Sequence, residues 1–191
     1  MPKIVDHDAR RTAITRAVAR LIERDGIHQV SVRTVAAEAH IQPSTLRHYF
    51  PSSDQMLAAT IQMVRDDQAE RLAALAPTGI ARDDVRQAWL QALPLDEARH
   101  TETHVWLAVT ATARDDELRA VLREIEQGLQ HLCAVTVRTL APDSDIAKEA
   151  ALLRAFTDGL ALNAITDKEA FTSERITTML DTYLERLATS N

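Results

Sequence analysis

"IQPSTLRHYFPSS", residues 41–53, puts one proline where a helix can begin and another where it must stop, with Arg47, His48 and Tyr49 between them. Pro43 suits the first position of a helix, where its missing N–H costs nothing, and Pro51 cannot continue one. At helical spacing Leu46, Tyr49 and Phe50 form the inner stripe of this segment. Ser44, Arg47 and His48 then share the outer face with Thr45 at its edge, and Tyr49 sits at the boundary of the core.

Upstream, Ser31 is placed to cap a short helix over 32–39, with Val32, Val35, Ala36 and Ala39 inward and Arg33, Thr34 and Ala37 outward. A longer helix over about 8–24 precedes it and buries Ile14, Ala17, Val18, Leu21 and Ile22, with Arg16, Arg20 and Arg24 opposite and Gly26 as its C-terminal cap. "IHQVSV" at 27–32 alternates like a strand, but it is isolated and reads as a loop entering the next helix. Downstream, Ser52 to Gln55 is a capping box (S-x-x-Q) opening a fourth helix to about Ala76. Two short helices on a tight link, buttressed on both sides, make a helix-turn-helix. Its second helix is the one that enters the major groove of DNA. Arginine can bind guanine bidentately, and serine, threonine, histidine and tyrosine can reach bases or phosphates, so the outward set fits that task.

Charge agrees. Residues 1–53 hold eight Lys/Arg against five acids, a net of +3, while the remainder carries −9 to give −6 in all. A basic first quarter points to an anionic partner, here double-stranded DNA. The single cysteine, Cys133, allows no internal disulfide, and no basic-then-apolar leader opens the chain, so a cytoplasmic protein is expected. The longest apolar runs, such as "VWLAV" at 105–109, fall far short of the roughly 20 residues of a membrane span, so no membrane partner is expected.

From about Ala13 to Leu57 the chain resembles the TetR family of bacterial transcriptional regulators. The stretch "AVARLIERDGIHQVSVRTVAAEAHIQPSTLRHYFPSSDQML", residues 17–57, follows the family's glycine-ended first helix, S/T-V-R-x-V/I-A turn, T-L-x-x-Y-F recognition helix and capped fourth helix. The resemblance implies that Arg33, Thr34, Ser44, Thr45, Arg47 and His48 face bases or nearby phosphates, with Tyr49 as a phosphate-side hydroxyl. Two positions depart from the pattern. His40 stands where the turn usually has glycine and is expected in a left-handed conformation. Ser53 stands where a phosphate-side lysine is common, leaving backbone N–H groups and the helix dipole to hold the phosphate.

Beyond Pro77 helices are expected at about 83–93, 96–114, 116–140, 143–166 and 172–188, broken at Pro94, Asp115–Asp116, Pro142 and "TDKEAFTS". The fold is therefore all-α with about nine helices. Residues 1–53 form the DNA-binding domain, the helix from 52 is the connector, and 54–191 form a ligand-sensing and dimerisation domain. "AALLRAFTDGLALNAI" is apolar almost all round. The resemblance implies that this helix, through Leu153 and Leu160, and the last one, through Ile176, Met179, Leu180, Tyr183, Leu184 and Leu187, pair with their mates in a homodimer. It also implies a pocket for a small-molecule effector, for which Trp89, His104, Trp106, His131, Cys133, Phe156, Asp158 and Asn163 are the aromatic and polar candidates. "W-L-A" and "D-G-L-A-L" are similar to stretches of the betaine-type regulators in the family, too short to name a ligand.

No catalytic constellation, metal site or cofactor motif is read from the sequence. "HTETH", residues 100–104, puts His100 and His104 one turn apart, but Glu102 falls on the wrong side for H-E-x-x-H chemistry and no third ligand stands nearby. His131 and Cys133, two apart on a helix, point to different faces. The expected function is a ligand-responsive DNA-binding regulator, a repressor released from a palindromic operator. The alternative is a helical enzyme or metal-binding protein whose N-terminal helices are merely structural.

Overall fold

Helical periodicity becomes nine α-helices and one 3-10 turn among the residues described; the computed structural model describes residues 7–113 and 116–189, with the backbone alone at Glu117. Contacts group the described residues up to Asp66 with His104–Leu122 in one unit, and Asp67–Thr103 with those from Arg123 onward in another. No helix among them is long and apolar enough to cross a membrane.

In the first unit, α1 (His7–Asp25) buries Ile14, Ala17, Val18, Leu21 and Ile22. Gly26 closes it at φ 84°, its N–H donating to Ile22 O at 3.0 Å. The stretch that alternates like a strand is a 3-10 turn, Ile27–Gln29, running into the cap of α2 (Val32–Glu38). There Ser31 Oγ accepts from the Thr34 N–H and the Ser31 N–H donates to Thr34 Oγ1, a reciprocal capping box. α2 ends with the N–H of Ile41 on Ala36 O and that of His40 on Ala37 O, the paired bonds of a Schellman motif. His40 occupies its left-handed position at φ 54°, as the missing glycine implies.

α3 (Pro43–Tyr49) has proline at its first position and buries Leu46, with Phe50 buried just beyond its end. α4 (Ser53–Ala73) begins where Ser52 Oγ accepts from the Gln55 N–H at 3.2 Å and ends three residues short of the expected Ala76. α5 (Ala81–Ala92), α6 (Glu97–Thr112) and α7 (Asp116–Leu140) follow; Asp115 of the expected break and Arg114 of the expected helix lie outside the described residues. α8 (Ile146–Thr166) starts later than the sequence suggests because Asp145 caps it, accepting from the Lys148 N–H, and α9 (Ser173–Thr189) completes the chain described.

The second unit is built on Trp89, Leu93, Cys133, Val137, Leu153, Leu160, Ile176, Leu180, Leu184 and Leu187, drawn from α5 and its end, α7, α8 and α9. Trp89 is 1% exposed and donates its indole N–H to Thr136 Oγ1, which itself donates to Leu132 O. Arg86 forks onto Asp181 at 2.5 and 2.9 Å, fastening α5 to α9. Burial pushes the Cys133 thiol up to about 11.

This core corrects two expectations. Leu153, Leu160, Ile176, Leu180, Leu184 and Leu187, assigned by resemblance to a subunit interface, are buried inside the chain's own core and offer a partner no further area. Met179 and Tyr183 are half-buried and pack against that same cluster. Trp89, a candidate for the effector pocket, is core as well, because its ring is enclosed and its one donor satisfied.

Trp89→Ala is therefore expected to destabilise the chain by about 3–5 kcal/mol, read from urea unfolding followed by circular dichroism. Thr136→Val, which leaves the indole N–H buried without an acceptor, is expected to cost about 1–3 kcal/mol in the same titration.

Candidate nucleic-acid interface

A helix of seven residues presents its outer face only if something fixes its inner one, and Leu46 and Phe50 do so one turn apart. On the outer face Ser44, Thr45, Arg47 and His48 are all exposed, and Tyr49 is half-buried. The Arg11 guanidinium lies 4.4 Å above the centre of the Phe50 ring and its Nη1 donates to Tyr49 O at 3.4 Å, so α1 holds the end of α3. The Tyr49 ring meets His48 edge-on at 5.7 Å and His7, from the first turn of α1, at 5.6 Å.

An open groove of about 610 Å³ runs along this face, between His7 and Arg10 of α1, His40, Ile41 and Gln42 of the turn, and Ser44, Thr45, His48 and Tyr49 of α3. His7 and Arg10 were not among the residues singled out from the motif, and His40 was singled out only for its left-handed backbone. The signal for Arg10 was the basic excess of the first quarter and the phase of α1, which sets it one turn from the buried Ile14 without saying what it faces.

The cations of the first unit divide by partner. Arg20 Nε reaches Glu38 at 2.9 Å, and Arg24 reaches Glu38 and Asp25 at 3.1 and 2.8 Å. Hydrogen bonds from Arg20 and then Arg24 hold the Glu38 carboxylate below its ordinary range. Arg10, Arg33 and Arg47 have no ion-pair partner among the described residues, so their charge projects into solvent. Neutralised arginines thus fasten α1 to α2, and unneutralised ones lie where an anion can meet them.

Thr34 departs from expectation. Its hydroxyl donates to Gln29 O at 2.6 Å while accepting from Ser31, so it serves the cap of α2 instead of facing outward free to donate. Ser53 is half-buried at the first residue of α4.

The other predicted residues are divided between the two units. His104 and Trp106 are half-buried on the part of α6 that belongs to the first unit, whereas Phe156 and Asp158 lie on α8 in the second. Phe156 stacks on Tyr183 at 4.4 Å. Arg154 bridges Asp158 and Glu126, the latter at 2.7 Å; its hydrogen bond holds Glu126 down, while burial pushes Asp158 up. His131 is exposed on α7, and Asn163 is exposed with its amide donating to Gly159 O, so neither lines an interior. Glu102 of "HTETH" takes both prongs of Arg71 at 2.5 and 2.7 Å.

Likeness to known proteins falls on two stretches of the chain. Residues 14–60 match the family described as bacterial regulatory proteins, tetR family, and residues 81–189 match the BetI-type transcriptional repressor, C-terminal. The HTH-type transcriptional regulator PksA of Bacillus subtilis is 33% identical over 98% of this chain and 94% of its own length. A transcriptional regulator from Rhodococcus sp. Rha1 superposes with a TM-score of 0.82 at 27% identity, over 93% of this chain and 95% of that one. A regulator from Saccharomonospora viridis, solved in complex with choline, superposes with a TM-score of 0.78 at 25% identity, over 93% of this chain and 96% of that one. These likenesses do not favour the alternative of a helical enzyme or metal-binding protein.

With Arg47 exposed and unneutralised, Arg47→Ala is expected to cost about 1–3 kcal/mol of affinity for a bound duplex and to relax preference at one base position, with helicity unchanged. Fluorescence anisotropy against single-base variants of the site measures both; an alanine variant that binds as tightly as the parent removes Arg47 from the interface.

Proposed function

The chain belongs to the TetR family of bacterial transcriptional regulators and carries a BetI-type repressor domain, and on that premise we propose how it reads and releases DNA. Residues 1–53 read the duplex and 54–191 sense an effector and dimerise. α3 lies in the major groove with Ser44, Thr45, Arg47 and His48 toward base edges and phosphates, while Arg33 and the Tyr49 hydroxyl contact the backbone. The first-turn N–H groups of α4 at Ser53 hold a further phosphate in place of the lysine common there. The observation that carries this reading is the exposed, unneutralised face of α3, held between the buried Leu46 and Phe50. An electrophoretic shift of DNA from upstream of the chain's own gene tests it, with a footprint over two half-sites as the expected result and no shift at low salt as the result that sinks it.

We place the dimer contact on the face of α8 that the core does not use. Leu152 and Leu162 are 50% and 49% exposed, and with Ala155 and Gly159 they form an apolar stripe at helical spacing. A Cβ built on Gly159 meets nothing within 4 Å, which leaves room for a second helix to approach closely. A two-fold pair would present two reading heads a helical turn, or a multiple of it, apart, hence a near-palindromic operator. Leu152→Glu with Leu162→Glu is expected to give monomers that bind operator poorly while keeping the parent's circular dichroism; sedimentation velocity that still finds a dimer moves the interface elsewhere.

A small-molecule effector loosens DNA binding only to the extent that it prefers the non-binding arrangement of the two heads. The relative solved with choline makes choline the first compound to titrate. Trp106, half-buried on α6 near His104, is our aromatic candidate for the effector site. Trp106→Ala is expected to weaken release by effector more than it weakens operator binding. A parallel loss of both, or a fall in thermal stability alone, makes Trp106 a core residue.

A further inference from the structure

Three of the chain's seven histidines lie along one groove. His7 comes from the first turn of α1, His40 from the left-handed position between α2 and α3, and His48 from the outer face of α3. Arg10 is the permanent cation among them and Tyr49 the remaining titratable group of the lining; none of the described lining residues is a carboxylate. Of the neighbouring charges on the packed elements, Arg11 on α1, turned over Phe50, and Arg47 on α3 are cationic, and Glu38 at the end of α2 is held by Arg20 and Arg24. Asp6 and Asp8 flank His7 in sequence; Asp8 sits in the first turn of α1 outside the lining, and Asp6 lies outside the described residues.

Histidine is the side chain whose charge changes between about pH 5 and 8. An imidazolium in this groove finds no anion in the described lining to accompany it, whereas a duplex brings a row of them. The Tyr49 ring is in contact with both imidazoles, His7 at 5.6 Å and His48 at 5.7 Å, and so ties them to one side of the groove. We propose that His7, His40 and His48 make duplex binding proton-linked: the groove takes up protons as backbone phosphates enter it, and the hold on DNA tightens as the pH falls through the histidine range. This rests on the assignment of the α3 face to DNA, and adds His7, Arg10 and His40 to the residues that position the duplex. The sign follows from the charge: protonation favours the DNA-bound state, so the extra affinity is full at low pH and lost as the pH rises.

The contact is with phosphates and carries no sequence information, so a mixed-sequence, fluorescein-labelled duplex of about 20 base pairs, two helical turns, suffices as probe. Anisotropy titrations of the full chain from about pH 8 to about pH 5.5 at fixed ionic strength are expected to show affinity rising by up to roughly tenfold per pH unit for each proton taken up. The slope of log affinity against log salt should steepen by about 0.9 for each imidazolium that meets a phosphate. Combining His7→Gln, His40→Asn and His48→Gln should flatten the pH profile; asparagine is chosen at 40 because it accepts the left-handed region. His131→Gln, on an exposed histidine of α7, should leave the profile as in the parent. Should the triple variant fail to fold by circular dichroism, His48→Arg carries the test: a permanent charge there should tighten binding near pH 8 and shallow the profile. A parent that binds duplex with no pH dependence overturns the proton linkage and leaves the DNA face intact. A pH dependence that survives in the triple variant, or is unchanged in His48→Arg, overturns the assignment to these residues. A chain that binds no duplex at any pH or salt overturns the DNA face itself, and the linkage with it.

Discussion

The burial of Leu46 and Phe50 is the contact on which the recognition surface depends. A seven-residue helix lies well below the roughly 12–15 residues at which an isolated helix becomes even marginal in water, so α3 exists only because the first unit encloses its inner stripe. That enclosure sets the azimuth of the helix, and the azimuth in turn decides that Arg47 and His48 face out. The cap of α2 serves the same end. Thr34 gives up its hydroxyl to the loop at Gln29, and the Schellman bonds at its other end fix the angle at which the chain enters α3.

Arginine is used in two ways along the chain. Arg20 and Arg24 each place one hydrogen bond on Glu38, and Arg86 forks onto Asp181; each contact fixes one helix against another. Exposed pairs of this kind add little stability, and their value here is geometric. Arg10, Arg33 and Arg47 are left without such partners among the described residues. A chain with net charge −6 thereby keeps a cationic face, with Asp25 and Glu38 of the first unit held by its own arginines.

The order and approximate limits of the helices were legible because the apolar period is regular and the punctuation is plain: Gly26, Ser31, Pro43, Pro51 and Ser52 each act locally. The left-handed His40 was legible for the same reason, since a missing glycine leaves a required φ behind. Legibility failed where the answer depends on which of two apolar faces turns inward. α8 carries Leu153 and Leu160 on one side and Leu152 and Leu162 on another, and composition cannot tell them apart; packing against α9 chose the first pair for the core. Trp89 misled in the same way, because a tryptophan reads equally as pocket wall or core until its indole N–H is seen to end on Thr136. His7 and Arg10 were missed because the motif begins after them and their approach to α3 is a tertiary fact.

Cys133 is the only cysteine of the chain, enclosed in the second unit, with its thiol held protonated well above neutrality. A thiolate, not a thiol, reacts with alkylating reagents, so at neutral pH modification has to wait for that core to open. The residue is thus a built-in clock for local unfolding of the α5–α7–α8–α9 cluster, needing no engineered label. Its rate of modification reports the opening equilibrium of one unit alone, and an effector or partner that tightens that unit would slow the clock.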